Sequence, residues 1–83
     1  MKVTFASDKV EELTTTLIDA VYGGGSACVL SGDGLSMYCA PSKEGYVVKV
    51  QFSTDTVKIL NQTLSYGHDG CVASGDGSKM YCA

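Results

Sequence analysis

Four cysteines and a single histidine carry the most reactive side chains of this 83-residue chain. The cysteines form two pairs, Cys28 with Cys39 and Cys71 with Cys82, each eleven positions apart. Across a hairpin, such a pair can pack as small apolar residues, form a disulfide or bind zinc. We expect free, packed cysteines. Zinc is the weakest alternative, because a structural zinc site usually includes a close Cys-x2-Cys pair, which the chain lacks.

The length of the hairpin loop decides whether a disulfide can form. Each cysteine pair flanks a Gly-Asp-Gly sequence, at 32–34 and at 75–77, in which glycine permits the positive φ of a tight reversal. A three-residue loop would place Cys39 beside Ala27. A four-residue loop would place Cys28 directly opposite Cys39, within disulfide range. The sequence leaves both registers open.

His68 and Asp69 form a second candidate site, in a short loop between two glycines. Histidine titrates near neutral pH, and both residue types ligate metal ions. One interpretation is an exposed polar loop. The other is a site for a cation or an anionic ligand, built when several chains place this loop around one axis.

Three tyrosines near expected strand ends are further candidates for ligand binding: Tyr22, Tyr46 and Tyr66. No nucleophile and base stand in a recognisable pair, so we expect no catalytic residue and no cofactor. Asp33 and Asp76 are expected to be turn residues.

An internal repeat organises all of these residues. Residues 27–40, ACVLSGDGLSMYCA, match residues 70–83, GCVASGDGSKMYCA, at ten of fourteen positions. Residues 2–13 match residues 49–60 at six of twelve positions. The chain is therefore predicted to be a single domain of two tandem copies, about 2–40 and 49–83, joined by 41–48.

Each copy predicts four short strands. Val48, Val50 and Phe52 alternate with polar residues, which is typical of a strand with one buried face, and the segment 56–64 is rich in β-branched residues. Residues 8–22 also place apolar side chains at helical spacing, which would give a β-α-β-β unit and an α+β fold. We expect the all-β interpretation, with this helix as its alternative.

The composition argues against several kinds of partner. A net charge of −3 leaves no basic surface for nucleic acid or an anionic membrane. No apolar run approaches the roughly 20 residues of a membrane span. Residues 1–13 contain three acidic side chains where a signal peptide needs an apolar run, so the sequence indicates no signal peptide.

The segment 46–83 resembles the repeat of YVTN-type β-propellers. The resemblance is best in S-G-D-G-x-x-M-Y-C-A, which is similar to the family pattern V-A-V-S-P-D-G-x-x-V-Y-V-A. Gly32 and Gly75 stand where the family usually has proline, and Cys39 and Cys82 where it usually has valine. The resemblance implies four-stranded blades arranged radially around a channel, with His68 near the channel mouth.

Two blades cannot close a ring, and the phase of the repeat indicates how a ring is completed. The chain starts on the third strand of a blade and stops after the second. We expect a head-to-tail homo-oligomer in which the N-terminal strands of one subunit complete the blade of its neighbour, with three chains favoured over four. The alternative is that the sequence is an excerpt of a longer propeller.

The function expected from this architecture is a non-enzymatic module that binds a small molecule, a glycan or a protein. The alternative is a metal or enzymatic site assembled around the ring axis from His68 and Asp69 of several subunits.

Overall fold

The computed structural model describes residues 1–12, 27–65, 67–68 and 70–82. These residues contain eight short strands, which are connected by turns and loops. The strands are β1 (Lys2–Thr4), β2 (Lys9–Glu11), β3 (Cys28–Leu30), β4 (Ser36–Cys39), β5 (Val48–Gln51), β6 (Thr56–Ile59), β7 (Cys71–Ala73) and β8 (Lys79–Cys82).

The described residues contain no helix, which confirms the all-β prediction, and accordingly none of them belongs to a helix that could span a membrane. Of the helix considered for residues 8–22, Lys9–Glu11 form strand β2 instead, and residues 13–22 lie outside the described residues. In the second copy, β6 occupies the equivalent segment.

The strands form two four-stranded antiparallel sheets, and each sheet combines strands from both sequence copies. Sheet A has the order β2-β1-β8-β7, and sheet B has the order β3-β4-β5-β6. The repeat makes the two sheets equivalent, because β7, β8, β1 and β2 correspond in sequence to β3, β4, β5 and β6. The predicted phase is therefore confirmed, since the chain begins on the third strand of one sheet and ends on the second.

The N-terminal strand completes sheet A within the same chain. β1 pairs with β8, so that Val3 lies opposite Met80, and the N-terminal ammonium of Met1 donates to the Cys82 carbonyl at 2.9 Å. We had expected neighbouring chains to make this pairing. Pairing within one chain satisfies the same backbone groups without the entropy cost of association.

Both hairpin loops have four residues, and both cysteine pairs form disulfides. Cys28 lies opposite Cys39, and Cys71 opposite Cys82, with Cα atoms 4.0 Å apart in each pair. The expectation of free cysteines was wrong, because the four-residue loop places the paired side chains directly across the hairpin. Disulfides are typical of proteins that fold in an oxidising environment.

Aspartates stabilise the two hairpin loops in the same way, as predicted for turn residues. Asp33 Oδ1 accepts hydrogen bonds from the Ser31 hydroxyl at 2.6 Å and the Leu35 N–H at 3.0 Å. Asp76 Oδ1 accepts from the hydroxyl of Ser78 at 2.7 Å and from its N–H at 3.0 Å. The side-chain hydrogen bonds, from Ser31 and from Ser78 respectively, lower the pKa of both aspartates.

The core lies between the two sheets. Directly paired residues of a sheet share a face, and in sheet A that rule groups Val3, Val10 and Met80, all buried, on its inner face. The inner face of sheet B presents Tyr38, with Val29 opposite it in register. The inner faces pack together, so each sheet also has an outer face that points away from the other sheet.

Candidate functional site

A polar clamp joins the two inner faces, and we define it as Phe5 and Asp8 from sheet A with Tyr38 and Lys49 from sheet B. The Tyr38 side chain is 1% exposed, and its hydroxyl donates to Asp8 Oδ1 at 2.6 Å. Lys49 lies opposite Tyr38 in the neighbouring strand and donates to both carboxylate oxygens of Asp8, at 3.1 and 3.2 Å. One carboxylate therefore links the sheets through two charge-assisted donors.

Aromatic contacts reinforce the clamp. The rings of Phe5 and Tyr38 stack with centroids 4.6 Å apart, and the Lys49 ammonium lies 5.4 Å from the centroid of the Tyr38 ring. Both distances are typical of favourable aromatic and cation–π contacts. Lys58 also reaches Asp8 at 3.3 Å, but its side chain is mostly exposed, so solvent weakens this pair relative to the pair of Asp8 with Lys49.

The turn after β1 positions Asp8. Its φ is 55°, in the left-handed region that aspartate tolerates better than most residues with a Cβ. Asp55, the equivalent residue of the second copy, has a φ of 53°. The sequence does not predict the contact of Asp8 with Tyr38, because 30 positions separate the two residues.

The electrostatics of the clamp favour a structural contact between the two sheets rather than a reactive centre. Burial raises the pKa of Tyr38, and the adjacent Asp8 carboxylate raises it further, so the phenol stays protonated. Burial alone would raise the pKa of Asp8. Hydrogen bonds from Tyr38, Lys49 and Lys58 outweigh that effect and leave the pKa lowered. At neutral pH the carboxylate accepts these hydrogen bonds, and neither group is poised as a base or a nucleophile.

Replacing Asp8 with asparagine is expected to lower the free energy of unfolding by about 2 kcal/mol at neutral pH, because the amide lacks the charge that faces Lys49. The folded-state pKa lies below the ordinary value. The carboxylate's contribution is therefore present at neutral pH, and it is lost as the pH falls through the folded pKa. Urea unfolding in dilute solution at pH 7 and at successively lower pH checks this, since the difference between wild type and variant should shrink on acidification.

Asp55→Asn is the matched control for this measurement. Asp55 occupies the same kind of turn but is exposed in the single chain, so its replacement should leave the unfolding free energy unchanged. A loss for Asp8→Asn that stays constant as the pH falls would show that the amide disturbs the turn rather than the charge.

A cavity of about 290 Å³ opens beside the clamp, between the loops at one end of the two sheets. Its lining includes the hydroxyl-bearing residues Thr4, Ser31, Ser36 and Ser78 and the charged residues Asp33 and Lys49. Its volume is at the lower end of the range for ligand pockets, so it suits a small molecule.

Two glycines bring the hairpin loops of the two sheets into contact. A Cβ on Gly32 would overlap the carbonyl group of Gly77, so the loops approach closely only because Gly32 has no side chain. A Cβ on Gly75, the repeat equivalent of Gly32, would meet no atom within 4 Å. Gly32 therefore makes a close contact between the loops, whereas its repeat equivalent Gly75 makes no such contact within the described part of the chain.

The structure places two of the five predicted site residues. His68 is 4% exposed, and its backbone N–H donates to the Pro41 carbonyl at 2.8 Å, so it belongs to the packed interior of the chain. Tyr46 is exposed. Neither residue belongs to the clamp or lines the cavity. The remaining three, Tyr22, Tyr66 and Asp69, lie outside the described residues.

The described part of the chain holds no group of three or more His, Cys, Asp or Glu residues that could bind a metal ion. Because Asp69 lies outside that part, the axial site of His68 and Asp69 stays a prediction.

Comparisons of the chain with models of known protein families, with curated proteins and with solved structures found no match. The resemblance to YVTN-type repeats therefore stays a prediction that depends on the repeat motif.

Proposed function

We propose that this protein is a non-enzymatic scaffold module that assembles head to tail with copies of itself into a closed ring of β-sheets. The observation that carries the proposal is the unequal burial of equivalent residues in the two sheets. Val10 on the inner face of sheet A is 6% exposed, whereas its equivalent Val57 on the outer face of sheet B is 63% exposed. One sequence pattern therefore gives a covered face in one sheet and an open face in the other.

The open face is a contiguous apolar surface on the outside of sheet B. Val50 and Val57 lie opposite one another in register, as do Leu30 and Met37. The exposed large apolar side chains on this face are Leu30, Leu35, Phe52, Val57 and Ile59. A surface of this kind marks an interaction site more often than it marks a solvated face.

A second copy of the chain fits this surface, because the chain already contains the matching surface. Within the chain, Tyr38 and Val29 of sheet B cover the apolar inner face of sheet A. Their repeat equivalents, Tyr81 and Val72, lie opposite one another on the outer face of sheet A and are only half-buried. Docking the outer face of sheet B onto the outer face of sheet A of a neighbour would repeat the packing that the chain makes internally.

Such a contact uses two different surfaces, so it continues from copy to copy until it closes. Three chains would give a ring of six sheets, and four chains a ring of eight. Each junction would also repeat the small cavity, which offers sites for a small molecule or glycan. The protonated Tyr38 and the fully engaged Asp8 favour a scaffold over an enzyme.

Replacing Gly75 with alanine tests the proposed junction. In the proposed assembly Gly75 meets Gly34 of the next copy, as Gly32 meets Gly77 within the chain. We expect Gly75→Ala to leave the single chain folded, because its Cβ meets no atom there, and to raise the dissociation constant of the assembly at least tenfold. Sedimentation velocity across a concentration series measures both the mass and the dissociation constant.

Gly32→Ala is the matched variant, and it should instead lower the unfolding free energy of the single chain, because its Cβ overlaps Gly77. Wild-type protein is expected to sediment at three or four times the 8.7 kDa of one chain. A mass of 8.7 kDa at every concentration up to roughly 1 mM, the weak end of specific binding, would contradict the proposed function.

A further inference from the structure

The clamp consists of two halves, one on each sheet, and the repeat supplies a second copy of each half. The single chain does not bring these second copies together. In the chain, Phe5 and Asp8 of one sheet meet Tyr38 and Lys49 of the other. The repeat equivalents of Phe5 and Asp8 are Phe52 and Asp55, at the end of β5 and in the turn that follows. The equivalents of Tyr38 and Lys49 are Tyr81 and Lys2. One unmatched half lies on sheet B and the other on sheet A.

Each unmatched half has the geometry of the half that it repeats. Asp55 adopts nearly the same φ as Asp8, 53° against 55°, so the two aspartates have the same backbone conformation in their turns. Lys2 lies opposite Tyr81 in the β1–β8 register, as Lys49 lies opposite Tyr38 in the β4–β5 register. Both halves therefore already have the backbone arrangement of the halves that they repeat.

The unmatched halves are also accessible. Phe52 is 41% exposed, whereas Phe5 stacks on Tyr38. Asp55 is exposed, and Tyr81 is half-buried where its equivalent Tyr38 is fully buried. The greater exposure of these residues is expected if each half binds the complementary half of another copy.

We infer that Asp55 of one copy accepts hydrogen bonds from Tyr81 and Lys2 of the next copy, and that this clamp sets the register of the head-to-tail contact. The inference rests on the proposed self-assembly. The apolar faces supply most of the buried area, but apolar contact alone is non-directional. A buried, charge-assisted hydrogen bond has strict geometry, so it selects one docking position among many.

One residue differs between the internal clamp and the junction, and it makes the junction weaker. Lys58, which contacts Asp8, is replaced at the equivalent position by Glu11, whose carboxylate lies 3.6 Å from the Lys2 ammonium. In the junction, the Lys2 ammonium would therefore be shared between the carboxylates of Glu11 and Asp55. In the internal clamp, by contrast, two lysines contact the single carboxylate of Asp8. We accordingly expect the assembly to dissociate under conditions in which the single chain stays folded.

Glu11→Lys restores the missing cation and is the gain-of-function test. It is expected to lower the dissociation constant of the assembly roughly three- to tenfold, because the added ammonium faces Asp55 as Lys58 faces Asp8. A gain in affinity cannot result from misfolding, so this outcome would support the clamp directly. Sedimentation velocity over a concentration series is the measurement.

Asp55→Asn and Tyr81→Phe are the complementary loss-of-function variants. Each is expected to raise the dissociation constant roughly tenfold or more, and the double variant less than the product of the two, because the residues share one hydrogen bond. Asp8→Asn and Tyr38→Phe serve as matched controls, which should lower the stability of the chain rather than act on the junction alone.

The two proposals fail in different ways. If wild-type protein sediments as a single chain throughout, both the self-assembly and the clamp between copies are wrong. If it assembles but Glu11→Lys, Asp55→Asn and Tyr81→Phe each change the dissociation constant less than twofold, the assembly stands and the clamp inference is overturned.

Discussion

Replacing Val57 with lysine is expected to convert the assembly into single chains. Val57 is 63% exposed on the outer face of sheet B, so lysine costs the isolated chain little, within about 0.5 kcal/mol. In the proposed junction, Val57 would be covered as its equivalent Val10 is. An unpaired ammonium buried there costs several kcal/mol, which should raise the dissociation constant roughly a thousandfold or more. Sedimentation velocity reports the change in mass, and urea unfolding reports the stability of the chain.

Val10→Lys is the matched variant on the covered face. Val10 is directly opposite the fully buried Val3, so the same substitution should unfold the chain instead of merely dissociating it. If Val57→Lys left the oligomer intact, the outer face of sheet B would not be the contact surface.

A mixing experiment tests whether the two surfaces of the contact differ. Val72→Glu blocks the outer face of sheet A, where Val72 lies opposite Tyr81, and leaves sheet B untouched. Alone, each of Val57→Lys and Val72→Glu should be a single chain. Mixed in equal amounts, they retain one working junction and should form a pair of chains. A self-complementary contact would instead leave Val72→Glu assembled by itself.

The architecture of the sheets was predictable because the repeat carries it. Alternation around Val50 and the Gly-Asp-Gly loops indicated short strands and hairpins, and the phase of the repeat indicated that the chain starts on a third strand. The partner of that strand was not predictable in the same way. β1 makes the same hydrogen bonds with a β8 from its own chain or from a neighbour, so the pattern of residues is identical in the two cases.

The clamp escaped prediction for a different reason. The contact of Asp8 with Tyr38 depends on how two sheets pack, and no local spacing of the sequence encodes it. A signal was nevertheless present. Aspartate and tyrosine occur in both copies, at positions 8 and 55 and at positions 38 and 81, while several of their neighbours differ. A role in the turn alone would not require aspartate at the same position of both copies, so the match indicates a further contact.

The cysteines show how one residue of loop length decides a covalent outcome. With three loop residues, Cys28 would face Tyr38. With four, it faces Cys39. Gly-Asp-Gly is compatible with both loops. The fourth residue, Leu35 in one copy and Ser78 in the other, gives no signal shared by the two copies, because serine favours turns and leucine does not.

Removing both disulfides is expected to have the largest effect on stability. Each closes a loop of about twelve residues, and the chain-entropy model gives about 3 kcal/mol for such a loop, so the two together supply about 6 kcal/mol. A domain of this length has a total stability of roughly 4 to 12 kcal/mol. Urea unfolding with and without a thiol reductant measures the difference, and the reduced protein should unfold at a much lower urea concentration or without urea.

The two disulfides should differ when each is removed alone. Cys71 and Cys82 are buried in the core, whereas Cys28 and Cys39 are half-buried. Replacing either pair with alanine loses the same loop constraint, but replacing Cys71 and Cys82 also leaves a void beside Met1 and the core of sheet A. We therefore expect the Cys71→Ala, Cys82→Ala variant to be the less stable by about 1 to 2 kcal/mol. Equal losses would mean that the cross-link alone, and not the packing of the sulfur atoms, stabilises sheet A.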